Sequence, residues 1–104
     1  MKVTMHNGAI ELLHLILAQP GWCKTVDLMY RAGKFLAEVL PPLPSPTLSG
    51  DDANNWREQN SAEFELSDAD AELCRTAYKH TISAGSIGPN KWAYEVLSAL
   101  KLTA

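Results

Sequence analysis

The residues with the most chemistry to offer are three histidines and two cysteines: His6, His14, His80, Cys23 and Cys74. Imidazole and thiolate are the usual zinc ligands, but zinc sites present them in pairs two to four residues apart, because one short loop or helical turn must aim both at one ion. Cys74 and His80 stand six apart, which on a helix turns them to opposite sides. No metal or other cofactor is expected. A cysteine or serine nucleophile needs a base beside it and a third group to orient that base. Cys23 or Cys74 with a histidine and an aspartate supplies the residue types without a local signature. The glycines at 8, 21, 33, 50, 85 and 88 are scattered and form neither a Walker loop nor a dinucleotide cradle. No catalytic residues are assigned, and an enzyme or enzyme subunit remains only an alternative.

The carboxylates are the second source of chemistry. Eight of them (Asp51, Asp52, Glu58, Glu63, Glu65, Asp68, Asp70 and Glu72) fall between 51 and 72 against the single Arg57, so this stretch is −7 in a chain of net −3 and the remainder is +4. Paired carboxylates serve acid–base catalysis, but a run this dense is more often a solvated face. Such a face can also steer a basic partner toward the protein. Nucleic acid is a poor match, since phosphate neutralisation demands a basic patch and the chain shows none.

These residues must be positioned by one small body. The 104 residues, 46% hydrophobic and 20% charged, suit a single domain with one core, 1–104. Two cysteines make no disulfide framework, so a reducing compartment, the cytoplasm, is expected. The apolar run Ala9–Ala18 follows only Lys2, contains Glu11 and His14, and is too short to span a bilayer, so neither a targeting segment nor a membrane anchor is expected.

Hydrophobic periodicity then places four helices, an all-α domain of irregular or orthogonal bundle type. The first covers about 9–18, apolar except along the stripe Glu11, His14 and Ala18, and Pro20-Gly21 ends it. Thr25 is the expected N-cap of a second helix over about 26–40. Its charged edge is Asp27, Arg31, Lys34 and Glu38, and the rest is so apolar that one face is expected in the core and another against a second helix or subunit. A homodimer fits that pattern.

Pro41 to Pro46 must stop this helix and favours polyproline-like geometry; its PxxP, Pro41 through Pro44, is better explained as a linker than as a ligand for an aromatic groove. The long connection 41–66 is expected to be loop, with Trp56 folding it back on the body and a short extended piece at 63–66, where Glu63-Phe64-Glu65-Leu66 alternates. Ser67 with Asp70 forms a serine-plus-acid start signal, Asp68, Asp70 and Glu72 suit the first turn, and Arg75, Lys79 and His80 follow, so a third helix is expected over 68–83, closed by Gly85. Pro89 suits the first turn of a fourth helix over 90–101. No internal repeat or sustained heptad is present.

Three functions compete. A small non-catalytic protein-interaction or regulatory module is preferred, in general style like the small accessory proteins of bacteria and their phages. Its expected contact surface joins Trp56 to the acidic belt of Asp51, Asp52, Glu63 and Glu65, an aromatic anchor in a charged rim, and Trp22 is expected to be a second exposed aromatic. The alternative is a helix-turn-helix regulator that reads DNA with 26–40 through Arg31 and Lys34, against which stands the apolar character of that helix. The enzyme alternative requires a pocket that gathers Cys, His or carboxylates within hydrogen-bond reach.

Overall fold

The computed structural model describes residues 2–19, 21–41, 50–83 and 91–100. Its elements run β1 (Lys2–His6), α1 (Asn7–Ala18), α2 (Val26–Glu38), α3 (Gly50–Gln59), β2 (Ser61–Glu65), α4 (Asp68–Ser83) and α5 (Lys91–Ala99). The chain is mostly helical, and two features correct the four-helix, all-α expectation. Residues 50–59 of the expected loop form a helix, and residues 2–6 form a strand.

The two strands pair antiparallel, with Val3 opposite Phe64 and Met5 opposite Ala62. Period-2 alternation explains the pairing: Val3, Met5 and Phe64 are buried on one face, while Lys2, Thr4, Glu63 and Glu65 are exposed on the other. The extended piece expected at 63–66 is therefore one edge of a sheet whose other edge is sixty residues earlier in the chain. The strand runs straight into α1. The first helical amide, Asn7 N–H, which has no partner within its own helix, donates to the Asn60 carbonyl at 2.9 Å.

Helix α1 is the central element. Ile10, Leu13, Ile16 and Leu17 are buried, and α2, α3, α4 and α5 all pack against it. Its polar stripe is put to use. Glu11 receives Arg57 of α3, with Nε at 2.8 Å and Nη2 at 3.4 Å. His14 Nε2 lies 2.7 Å from the Pro41 carbonyl just beyond α2. After Ala18 the chain turns through Gly21, whose φ of 99° is open to glycine and strained for other residues.

Trp22 then corrects a second expectation. It is 2% exposed, its indole seated in the core and its N–H donated to the Leu17 carbonyl at 3.1 Å, one of the acceptors the end of α1 leaves unpaired.

The caps match their residues. Thr25 Oγ1 accepts from Leu28 N–H at 3.1 Å, and Ser67 Oγ accepts from Asp70 N–H at 3.1 Å. Helix α2 buries Ala32 and Phe35 and ends at Glu38, with Leu40 buried just beyond it. The Pro42–Pro46 part of the proline run, the PxxP reading with it, and the Gly85 and Pro89 signals lie outside the described residues. No helix among the described residues is long and apolar enough to cross a membrane.

Candidate functional site

The five residues of the expected contact surface fall on two elements. Asp51 and Asp52 occupy the exposed first turn of α3, where carboxylates complement the partial positive charge of a helix N-terminus. Trp56 lies one turn beyond Asp52 on the same side of α3 and is half-buried. Glu63 and Glu65 share the outer face of β2, where Glu63 stands 3.7 Å from Lys2 Nζ in a pair exposed on both sides. Half the belt thus stabilises a helix start and half decorates a sheet. One polar tie from α3 to the body is Arg57 on Glu11, and this carboxylate, through its hydrogen bond and its charge, holds the guanidinium still further from deprotonation than usual.

A second cluster was not visible in the sequence. His6, Glu58, Lys91, Trp92 and Glu95 line an open hollow of about 350 Å³ where β1, α3 and α5 meet. Glu95 accepts from the His6 backbone amide at 2.6 Å and lies 2.8 Å from His6 Nδ1. Lys91 Nζ lies 2.5 Å from Glu58 Oε1 and 4.6 Å from the centre of the Trp92 ring. The Lys91 hydrogen bond and charge hold the Glu58 carboxyl below the usual carboxylate range. Each basic group here has its own carboxylate, and the described lining includes neither a cysteine nor a serine. The arrangement ties three elements together at one end, and a nucleophile with its base is not among these side chains. His6 and Glu95 are 89 residues apart, so no local motif could have marked them.

Cysteine chemistry is also remote from this hollow. Cys74 is fully buried, and desolvation, with a smaller push from Asp70, raises its thiol to about 12, far from the thiolate a nucleophile or metal ligand requires. Cys23 is half-buried and its thiol is also raised by burial. Among the described residues no three His, Cys, Asp or Glu side chains gather as metal ligands would.

The third feature is the outward face of α2. Val26, Met29 and Tyr30 are 82%, 58% and 68% exposed, the largest grouping of exposed apolar side chains on any described element. With Gly33 one turn on, they form a continuous stripe, since positions 26, 29, 30 and 33 share one side of a helix of 3.6 residues per turn. Nothing approaches within 4 Å of the place a side chain on Gly33 would occupy. The stripe therefore carries a notch, beside an open hollow of about 400 Å³ lined by Met29, Tyr30, Gly33, Lys34 and Glu38. Asp27 and Arg31 stand 3.8 Å apart on the flank of α2 beyond Tyr30, and Arg31, turned from the stripe toward the body, donates from Nη2 to the Ala69 carbonyl at 3.5 Å. The periodicity of α2 already called for two apolar faces. The structure assigns them: Ala32 and Phe35 face inward, while Val26, Met29 and Tyr30 face out.

The chain matches no protein-family profile, no curated protein and no solved structure.

Proposed function

We propose that this chain is a non-catalytic protein-interaction module that docks through the outward face of α2. The observation that carries the reading is the stripe of Val26, Met29 and Tyr30, three large apolar side chains held in water on one face of a capped helix. Single exposed apolar residues are ordinary, but a grouped patch beside a polar edge is the surface that partner proteins cover. Tyrosine and methionine are also favoured at such contacts, one for its large amphipathic ring and the other for its adaptable thioether.

The acidic belt has a supporting role in this reading. Asp51, Asp52, Glu63 and Glu65 add a long-range field that favours basic partners and speeds encounter. The DNA-binding alternative is less well supported, because three of the side chains α2 would insert into a polar groove are Val26, Met29 and Tyr30, and Arg31 is engaged with Asp27 and Ala69.

The test is association of the intact chain, with itself by light scattering and with host proteins by affinity capture, for three forms of the protein. Tyr30→Glu is expected to abolish association while leaving the circular dichroism spectrum unchanged. A belt variant, Trp56→Ala with Asp51, Asp52, Glu63 and Glu65 changed to lysine, is expected to capture a basic host partner more slowly and still form the complex. Loss in the belt variant with retention in Tyr30→Glu would sink the assignment to α2.

A further inference from the structure

We infer that the outer edge of β2 is a second docking surface, separate from α2, and that it takes an extended segment of a partner protein, antiparallel, in which basic and apolar residues alternate.

The hydrogen-bond phase of the sheet leaves this edge open. Asn7 N–H donates to the Asn60 carbonyl at 2.9 Å, and in an antiparallel ladder pairs that exchange bonds alternate with pairs that do not. Counted back from Asn7 and Asn60 in the observed register, Met5 with Ala62 and Val3 with Phe64 exchange bonds. His6 with Ser61 and Thr4 with Glu63 turn their backbone groups away from each other. His6 shows this directly, because its amide leaves the sheet for Glu95 at 2.6 Å, on the side where α5 packs. The backbone groups of Ser61 and Glu63 turn the opposite way. Both residues are exposed, and among the described residues no backbone group answers theirs and no helix packs along that edge. A row of outward N–H and C=O groups is a template for one more strand.

The residues that frame the edge set the chemistry of that strand. Its side chains would alternate between the exposed face, beside Ser61, Glu63 and Glu65, and the inner face, beside Ala62 and Phe64. Glu63, with Glu65 on the same face, calls for lysine or arginine, and the half-buried Ala62 calls for an apolar neighbour. β1 meets the same demands from its own side. It reads Lys2, Val3, Thr4, Met5, His6, apolar inward and polar or basic outward, and Lys2 Nζ stands 3.7 Å from Glu63. The carboxylates also argue against a second copy as the occupant. Pairing β2 with itself about Glu63 would set Glu63 directly against its own counterpart, like charge on like charge, which is how natural sheets guard an edge from self-association.

The experiment is an amide NMR titration of the full chain with a capped peptide in which lysine and valine alternate, lysine at both ends, matched to the five residues of β2. Shifts should centre on Ser61–Glu65 and persist in Tyr30→Glu, which alters only the α2 face. In antiparallel pairing the lysine amides bond to β2 and the valine amides face away. N-methylation of the central lysine should therefore weaken binding about tenfold or more, and N-methylation of the valines should leave it unchanged. Glu63→Lys should reduce the preference for this peptide over its glutamate–valine counterpart by about tenfold.

Equal binding by a peptide of the same composition with its lysines in one block, or by the lysine-methylated peptide, would reduce the contact to general charge attraction and overturn the added strand. Loss on methylating the valines instead of the lysine overturns the antiparallel register. Shifts confined to α2 and abolished by Tyr30→Glu overturn the β2 edge and leave the α2 reading standing, and a titration without shifts at Ser61–Glu65 overturns the edge alone.

Discussion

The indole of Trp92 on α5 lies over Gly8 in the first turn of α1, occupying the space a side chain on that glycine would need. The contact lets α1 and α5 approach closely, and the pairs His6–Glu95 and Lys91–Glu58 flank it. Gly8→Ala is therefore expected to destabilise the protein by about 1–3 kcal/mol, the usual cost of overpacking, although alanine alone favours a helix over glycine by up to about 1 kcal/mol. Replacing the indole reverses the sign: in a Trp92→Leu background Gly8→Ala should be neutral or stabilising. Urea unfolding of the four proteins of this cycle checks it, and an equal effect of Gly8→Ala in both backgrounds would refute the contact.

Arg57 and Glu11 join α3 to α1 through two hydrogen bonds, with the side chains 32% and 29% exposed. Bidentate, partly desolvated pairs are stronger than surface ion pairs. Arg57→Met should cost roughly 1–2 kcal/mol by that comparison, and Arg57→Lys should recover only part of it, because a single ammonium cannot reproduce the fork. Amide hydrogen exchange gives the local readout. Protection should fall across Asp52–Gln59 while α4 keeps its own, and uniform loss across both helices would contradict a local tie.

Why this helix was missed in the sequence follows from the same pair. Gly50–Gln59 contains no buried residue and no apolar period, only the partly buried Ala53, Trp56 and Arg57, so nothing in its pattern separates it from a polar loop. Its positioning depends on a residue 46 positions away. The first strand was obscured differently. Val3 and Met5 alternate correctly, but five residues abutting a longer apolar run give a weak signal until Phe64 is set opposite. Where the determinants are local, the sequence is explicit: α4 spans Asp68–Ser83, and both Ser67 and its acidic first turn are in the sequence. The two apolar faces of α2 were legible from periodicity, but which of them stays exposed depends on the packing of α1 and α4.

Thr25 and Ser67 make the same kind of bond, each accepting an amide three residues on at 3.1 Å. Thr25→Ala and Ser67→Ala should each cost about 1 kcal/mol, with different consequences. Loss of the Thr25 cap frays the turn that holds Val26 and Met29, so association through α2 should weaken along with stability. Loss of the Ser67 cap should lower stability and leave association unchanged. Thermal unfolding and light scattering on the two variants separate these outcomes, and equal effects on association would argue that α2 is not the docking element.

The buried thiol of Cys74 makes stability depend on pH on the alkaline side. Burial, and secondarily Asp70, raises it from the ordinary 9.0 to about 12. Below pH 9 the thiol is protonated in both the folded and unfolded chain and adds no slope. Between about 9 and 12 the unfolded chain releases this proton while the folded chain keeps it, so stability must fall as pH rises. The slope for one such group approaches about 1.4 kcal/mol per pH unit. The Tyr78 hydroxyl, also raised by burial and by Tyr94, adds in the same direction at its upper end. Cys74→Ala should lower stability at neutral pH by leaving a small void and should flatten the alkaline slope, so the two unfolding curves converge as pH rises. The same burial predicts the labelling pattern. With an alkylating reagent at pH 8 the half-buried Cys23 should react first, and Cys74 only as fast as the chain opens. Two thiols reacting equally fast in the native protein, or parallel pH profiles for wild type and Cys74→Ala, would show that Cys74 is not sealed in the core.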